Sequence, residues 1–288
     1  MSYYECHGHI FMDGRAFREA FELHRGGVVR EVIDRRLAAL QAAGVVYYRD
    51  GGDKLGASVY ARSRAAEYGI EYRSCCFAVH KRGMYGGLVG LPFDTAGDFY
   101  ALVKEAKAQK ADFIKLMISG IMDFQSFGGL SGGGLEPEEI PELIRIAHGE
   151  GFRVMAHANG AQRVKAALRA GLDSVEHGYF LDDECLSLMK ETGAVWVPTL
   201  AATAGFAGRG GFAPGVAEEN IRHACENLRK ARALGVLVAS GSDAGAVNVP
   251  PDTGIHLECA LLAAAGFTAE ELRRGNEAVR RRFVREGP

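Results

Sequence analysis

Residues 153–178 read RVMAHANGAQRVKAALRAGLDSVEHG, and this stretch decides the fold. Arg153 to Ala158 is a short apolar run, expected as a strand, that carries His157 near its end. Ala161 to Ala170 has helical spacing and good helix formers, and Gly171 supplies the stop signal of a left-handed terminal residue. Ser174 to Gly178 is a second short run, with His177 near its end. The stretch is therefore one strand–helix–strand unit with a histidine at each strand end.

Working outward, the same alternation fills the chain. Tyr3 to Phe11, Val45 to Arg49, Ile70 to His80 and Asp112 to Ser119 precede this unit as strands, and Ala194 to Leu200 and Val236 to Ser242 follow it. Helices are expected over Val29 to Ala43, Ala57 to Tyr68, Ala96 to Gln109, Pro137 to Gly149, Asp182 to Thr192 and Glu218 to Leu234. Gly44, Gly69, Gly193 and Gly235 end several of them. Most strands are continuous apolar runs rather than alternating ones, as in a parallel sheet covered on both faces. Eight such units predict an α/β fold, a (β/α)8 TIM barrel forming a single domain over residues 1–288. The length of 288 residues suits one barrel, which commonly needs about 250.

Composition narrows the function. Hydrophobic residues make up 48% and charged residues 24%, as in a globular chain. A formal net charge of -2 gives no footprint for nucleic acid, so none is expected as a partner. No apolar stretch reaches the roughly 18 to 20 residues that span a bilayer, and no membrane association is expected. The first residues lack the basic and apolar regions of a secretory leader, so the expected location is cytoplasmic. The six cysteines, Cys6, Cys75, Cys76, Cys185, Cys225 and Cys259, form no CxxC pair and are expected to be reduced.

The chemistry lies at the strand ends. His7 and His9 stand two apart on the first strand and so share a face. His157 ends the fifth strand, His177 the sixth, and Asp243 follows the eighth. A lone histidine on an apolar strand is usually a satisfied core residue; several at corresponding ends of different strands, with an Asp, point to a metal site. Lys115 stands inside the apolar run Asp112-Phe113-Ile114-Lys115-Leu116-Met117, where an ammonium is costly unless paired or neutralised. Either an acid pairs with it, or its amine becomes a carbamate that bridges two metals. Histidine and oxygen ligands suit Zn2+ first, with Mn2+, Co2+, Fe2+ or Ni2+ as alternatives.

Taken together, Glu5-Cys6-His7-Gly8-His9, Phe113-Ile114-Lys115-Leu116, Val154-Met155-Ala156-His157, residues 171–178, Val195-Trp196-Val197-Pro198-Thr199-Leu200 and Gly241-Ser242-Asp243-Ala244-Gly245 resemble the amidohydrolase superfamily. The match is to its binuclear-metal branch, similar to prolidases and imidazolonepropionases. His256-Leu257-Glu258, Ala265-Gly266-Phe267-Thr268 and Asn276-Glu277-Ala278 are similar to its closing helices. The resemblance implies that His7, His9 and Asp243 hold one divalent metal ion and His157 and His177 the other, with carbamylated Lys115 as bridging ligand. It further implies that a metal-bridging hydroxide attacks the substrate carbonyl, with Asp243 as catalytic general acid/base. Most relatives carry a small β-sandwich from segments flanking the barrel; this chain begins at the His-x-His strand, so a compact form without a flanking β-sandwich is expected. Gly8 between the histidines and Ser242 in place of the usual Thr are mild departures.

The expected reaction is cleavage of an amide bond, linear N-acyl or dipeptide-like, or cyclic. Ester, lactone or carbamate hydrolysis at the same site is the near alternative, and a metal-retaining barrel that binds a ligand without turnover is the non-enzymatic one. The partner is then a small-molecule substrate with an amide or ester carbonyl, and a homo-oligomer is expected on general grounds. After the third strand, His80 and Tyr85 are candidate substrate-binding residues, and Arg82 and Arg209 are candidates to pair with a substrate carboxylate. Met84, Leu88, Met122, Phe124, Phe127 and Phe206 make the long loops apolar, hinting at a hydrophobic or aromatic substrate portion.

Overall fold

The computed structural model describes residues 2–284 as an α/β fold with parallel sheets. Its strands in chain order are β1 (Tyr3–Gly8), β2 (Val45–Asp50), β3 (Glu71–Ser74), β4 (Ala78–Lys81), β5 (Gly90–Phe93), β6 (Ile114–Met117), β7 (Ile121–Met122), β8 (Leu130–Ser131), β9 (Val154–Ala158), β10 (Ser174–His177) and β11 (Val195–Val197). One sheet runs β1-β2-β3 and another β11-β10-β9-β6-β4-β5, both parallel throughout; β7 and β8 form a short antiparallel ribbon in the loop after β6.

Helices fill the intervals where periodicity predicts them: α2 (Arg30–Ala42), α3 (Ala57–Arg64), α4 (Ala96–Ala108), α5 (Ile140–Gly149), α6 (Ala161–Arg169), α7 (Asp183–Thr192) and α9 (Val216–Leu234). Four more, α1 (Phe17–His24), α8 (Leu200–Ala204), α10 (Gly254–Ala264) and α11 (Ala269–Arg282), complete the set. Local chemistry explains several ends. Thr95 and Asp98 close a capping box on α4, as Thr268 and Glu271 do on α11. Gly193 ends α7 in left-handed backbone at φ 71°.

Two expected strands differ from the sequence reading. The third breaks into β3 and β4 at Cys75-Cys76-Phe77, where Cys76 takes φ +66°. The break falls where the chain leaves β2 and begins to pair with β5 and β6, and the Cys76 carbonyl accepts from Asp53 N and Ser58 Oγ instead. The eighth run makes single bridges rather than a strand. Trp196 N donates to Leu237 O and Ala239 N to Trp196 O, both at 2.9 Å, on the β11 side. On the β1 side Cys6 N donates to Ser240 O at 3.0 Å, and Gly8 bridges to Ala244.

Between the sheets and their helices lies the largest apolar cluster, including Val79, Leu116, Val154, Val175 and Trp196. A smaller cluster gathers Cys6, Tyr47, Phe113, Met155, Val195 and Ala239 from successive strand runs and is packed by Val279 and Phe283 at the C-terminal end of the chain. Among the described residues all six cysteines are free thiols, four of them buried, and no helix is long and apolar enough to cross a membrane.

Candidate metal centre

His7, His9, Lys115, His157, His177 and Asp243, spread over the whole sequence, all line one cavity. Parallel pairing brings the strands' C-terminal ends to one side, and the register sets their depth. Met117 on β6 is opposite His157 on β9, so Lys115 lies one pleat deeper on the same face. His7, His177 and Asp243 present ligand atoms that all lie within 4.8 Å of one another. Asp243 Oδ1 is 3.7 Å from Nε2 of both His7 and His9. The His177 ring centroid stands 4.9 Å from that of His7 and 4.5 Å from that of His157.

Each imidazole is held by one nitrogen. His7 Nδ1 lies 2.7 Å from Glu176 Oε2, His9 Nδ1 3.2 Å from the Gly52 carbonyl, and His177 Nδ1 2.7 Å from Thr199 Oγ1. His157 is reversed: its Nε2 is 3.0 Å from the Gly120 carbonyl, which leaves Nδ1 as the ring's remaining ligand atom. A carboxylate or carbonyl partner requires N–H at the held nitrogen and therefore a lone pair at the other. His177, Thr199 and Asp243 all take positive φ, at 68°, 50° and 62°, a costly conformation for residues with side chains. Three such positions at one site mark backbone bent to aim side chains.

The charge balance favours neutral imidazoles. Burial, reinforced by the nearby Lys115 ammonium, lowers His9 and His157 to about 3. Burial also pushes His7 and His177 well below their ordinary value, with Lys115 and neighbouring imidazoles acting in the same direction. Burial raises Asp243 to about 6 against the opposing pull of Lys115, and it lowers Lys115 to about 8. Lys115 Nζ sits 3.2 Å from His7 Nε2. Among the described residues no carboxylate is in salt-bridge contact with it. Neutral imidazole lone pairs converging with a carboxylate are the donor set of a divalent transition metal, so the residues fit such ions.

Around this centre lies a network that sequence reading did not assign. Arg49, fully buried on β2, donates to both oxygens of Glu176 at 2.8 and 3.0 Å, and its Nε donates to Cys6 O at 2.6 Å. Its guanidinium rests 4.4 Å over the Phe283 ring. Glu5 accepts from the backbone N of His7 at 3.1 Å and of Ser242 at 2.8 Å, joining the His-x-His strand to the segment that carries Asp243. The signal that exposed Lys115, a charge inside an apolar strand, was equally present at Arg49 and Glu176. Gly8 also gains a reason: a Cβ there would lie 2.2 Å from Tyr48 Oη.

The substrate candidates divide. Tyr85 lines the cavity, its ring centroid 4.8 Å from that of His157. His80 is buried beside the cavity without lining it, and its Nδ1 lies 3.0 Å from the Lys81 carbonyl. Arg82 is turned outward and paired with Asp94 at 2.9 Å. Arg209 is exposed and donates to Gly205 O at 2.6 Å. Residues not singled out for the cavity, Asn159, Tyr179 and Thr203, supply its neutral polar groups.

Known proteins bear on this geometry. A model of the amidohydrolase family matches residues 3–280. An uncharacterized protein of Mycobacterium tuberculosis (strain ATCC 25618 / H37Rv) is 34% identical over 145 residues, 46% of this chain and 37% of that protein. The ochratoxinase of Aspergillus niger is 37% identical over 93 residues, 31% of this chain and 18% of that enzyme. The matches thus span well under half the length of these curated relatives. Among solved structures, a Xaa-Pro dipeptidase with methionine bound in its active site superposes with a TM-score of 0.78 at 21% identity, covering 97% of this chain and 75% of that one. This last likeness is one of fold.

Proposed function

The chain belongs to the amidohydrolase family, and on that premise we propose that it is a metal-dependent hydrolase that cleaves an amide bond within a single closed (β/α)8 barrel. Closure is supported by the hydrogen bonds that residues 237–244 make to β11 on one side and β1 on the other. The observation that carries the functional reading is the convergence of His7, His177 and Asp243, with His9, Lys115 and His157 beside them, on one cavity.

His7, His9 and Asp243 would hold one divalent cation, Zn2+ first among the candidates, and His157 and His177 a second. Lys115, buried with no carboxylate in salt-bridge contact among the described residues, would serve both cations as a carbamate, formed if its amine added to carbon dioxide with loss of a proton. Cations bound there supply acidified water and a polarised carbonyl. Glu176, the Gly52 carbonyl and Thr199 fix the rings of His7, His9 and His177, so their lone pairs need no reorganisation. Asp243 takes the attacking water's proton and passes it to the leaving nitrogen as the C–N bond breaks, with the water oxygen ending on the acyl carbon. Tyr85 lines the cavity, and its hydroxyl would donate to the carbonyl oxygen.

Asp243→Asn tests this assignment. Turnover of an amide panel should fall at least about a hundredfold, while elemental analysis finds metal still bound. Unchanged turnover would refute the role given to Asp243.

A further inference from the structure

Resting on the hydrolase reading above, the geometry points to a narrower substrate class: an uncharged acyl compound with a hydrophobic, ring-bearing group beside the scissile bond and no carboxylate next to it. The cavity measures about 340 Å3, at the small end for a ligand site. Above the metal-binding residues its wall is made by Met12, Leu88, Met122, Phe124 and Phe206. Phe124 and Phe206 stack with centroids 4.5 Å apart, and Phe212 meets Phe206 edge-on at 5.3 Å. The loops after β6 and β11 thus join in an aromatic panel. The apolar character continues outward, since Phe17 and Ile121 line the cavity while 40% and 42% exposed.

No cation stands on this wall. Among the described lining residues Lys115 is the one Lys or Arg, and it lies on the floor against His7. At the outer rim Arg18 lies 5.8 Å over the Phe17 ring, and the other cations near the mouth in sequence are engaged elsewhere. Arg82 pairs with Asp94, Lys81 with Glu139, Lys54 Nζ donates to Gly87 O at 2.6 Å, and Arg209 binds the Gly205 carbonyl. A carboxylate entering here would lose its water with no donor fork to replace it, whereas an apolar ring gains from burial against the aromatic panel. A dipeptide carries such a carboxylate beside its leaving nitrogen. The polar groups lining the cavity, Tyr85, Asn159, Tyr179 and Thr203, are neutral; Thr203 Oγ1 donates to Tyr179 Oη and Asn159 Nδ2 to Gly120 O, so Tyr85 is the group that suits a carbonyl or amide dipole.

The test is a matched pair, N-phenylacetylpyrrolidine and N-phenylacetylproline, which differ by the carboxylate alone. Binding to the metal-loaded protein is measured by titration calorimetry and cleavage by kcat/KM. The neutral amide should bind at least about tenfold more tightly. Equal or tighter binding of the acid, or no binding of the neutral amide, overturns the inference. If the neutral amide is preferred and neither compound is cleaved, the inference stands and the hydrolase reading falls. Phe206→Arg, which places a guanidinium on the wall, should narrow the gap at least about tenfold. An unchanged gap in a variant of normal metal content and circular dichroism would show that the wall does not select, and the inference would fail.

Discussion

The floor and the wall of the cavity come from adjoining stretches of the same loops and strands, yet they are held in place by different means. On the floor each imidazole is fixed by a directed bond to Glu176, Gly52, Gly120 or Thr199. On the wall Phe124 and Phe206 stack on each other, and Phe212, outside the lining, meets both edge-on. Directed bonds specify orientation, which a ligand atom must have; packing specifies shape, which an apolar substrate reads. Damage to the floor should therefore appear in metal content and turnover, and damage behind the wall in stability.

The largest effect is expected at Lys115. If the proposed two-ion centre forms, Lys115→Ala should lower metal content toward one ion or none, with turnover down at least about a hundredfold. Elemental analysis finding full binuclear loading in that variant would remove the bridging role.

Next comes Glu176→Gln, which keeps the size of the partner of His7 but removes its charge. Metal affinity should fall by about ten- to hundredfold, the usual scale for losing such a partner, as read by competition with a chromogenic chelator. No change would mean that the floor does not depend on the bond.

Glu258 probes the support behind the wall. It is buried on α10, and its Oε2 accepts from Ala201 N at 2.7 Å on α8, the helix that carries Ala202 and Thr203 into the cavity. Burial raises it to about 8, against the partial relief of the α8 backbone bonds. The folded state then holds a proton that the unfolded state releases near 4.5, so this contribution is full below pH 4.5 and is lost as pH rises to about 8. Glu258→Gln has no proton to lose. Its Tm should gain on that of the unsubstituted chain by about 5 °C between pH 5 and pH 8. Parallel Tm curves would contradict the assignment.

The smallest effect is expected outside both regions. Arg82→Ala removes an exposed ion pair with Asp94 and should change stability by less than about 1 kcal/mol. KM should stay constant as well; a marked rise would return Arg82 to the cavity.

Local pattern carried much of this architecture. The βα alternation was legible because helix and strand periods differ and because most strands are largely apolar runs. The break at Cys76 was not, since nothing local requires a left-handed residue there; it follows from a change of pairing partners. The eighth run is held more sparsely: Val238 bridges Trp196, and Leu237, Ala239 and Ser240 make backbone hydrogen bonds to Trp196 and Cys6.

Which residue types stand at the strand ends is a property of the sequence itself, because strand geometry assigns a face two residues at a time and parallel pairing turns all those ends one way. Their partners were decided by the tertiary structure. Glu176 meets His7 across 169 positions, Thr199 meets His177 across 22, and Phe206 stacks on Phe124 from another loop. Contacts of that kind depend on how sheets and loops close in space, and no periodicity along the chain records them.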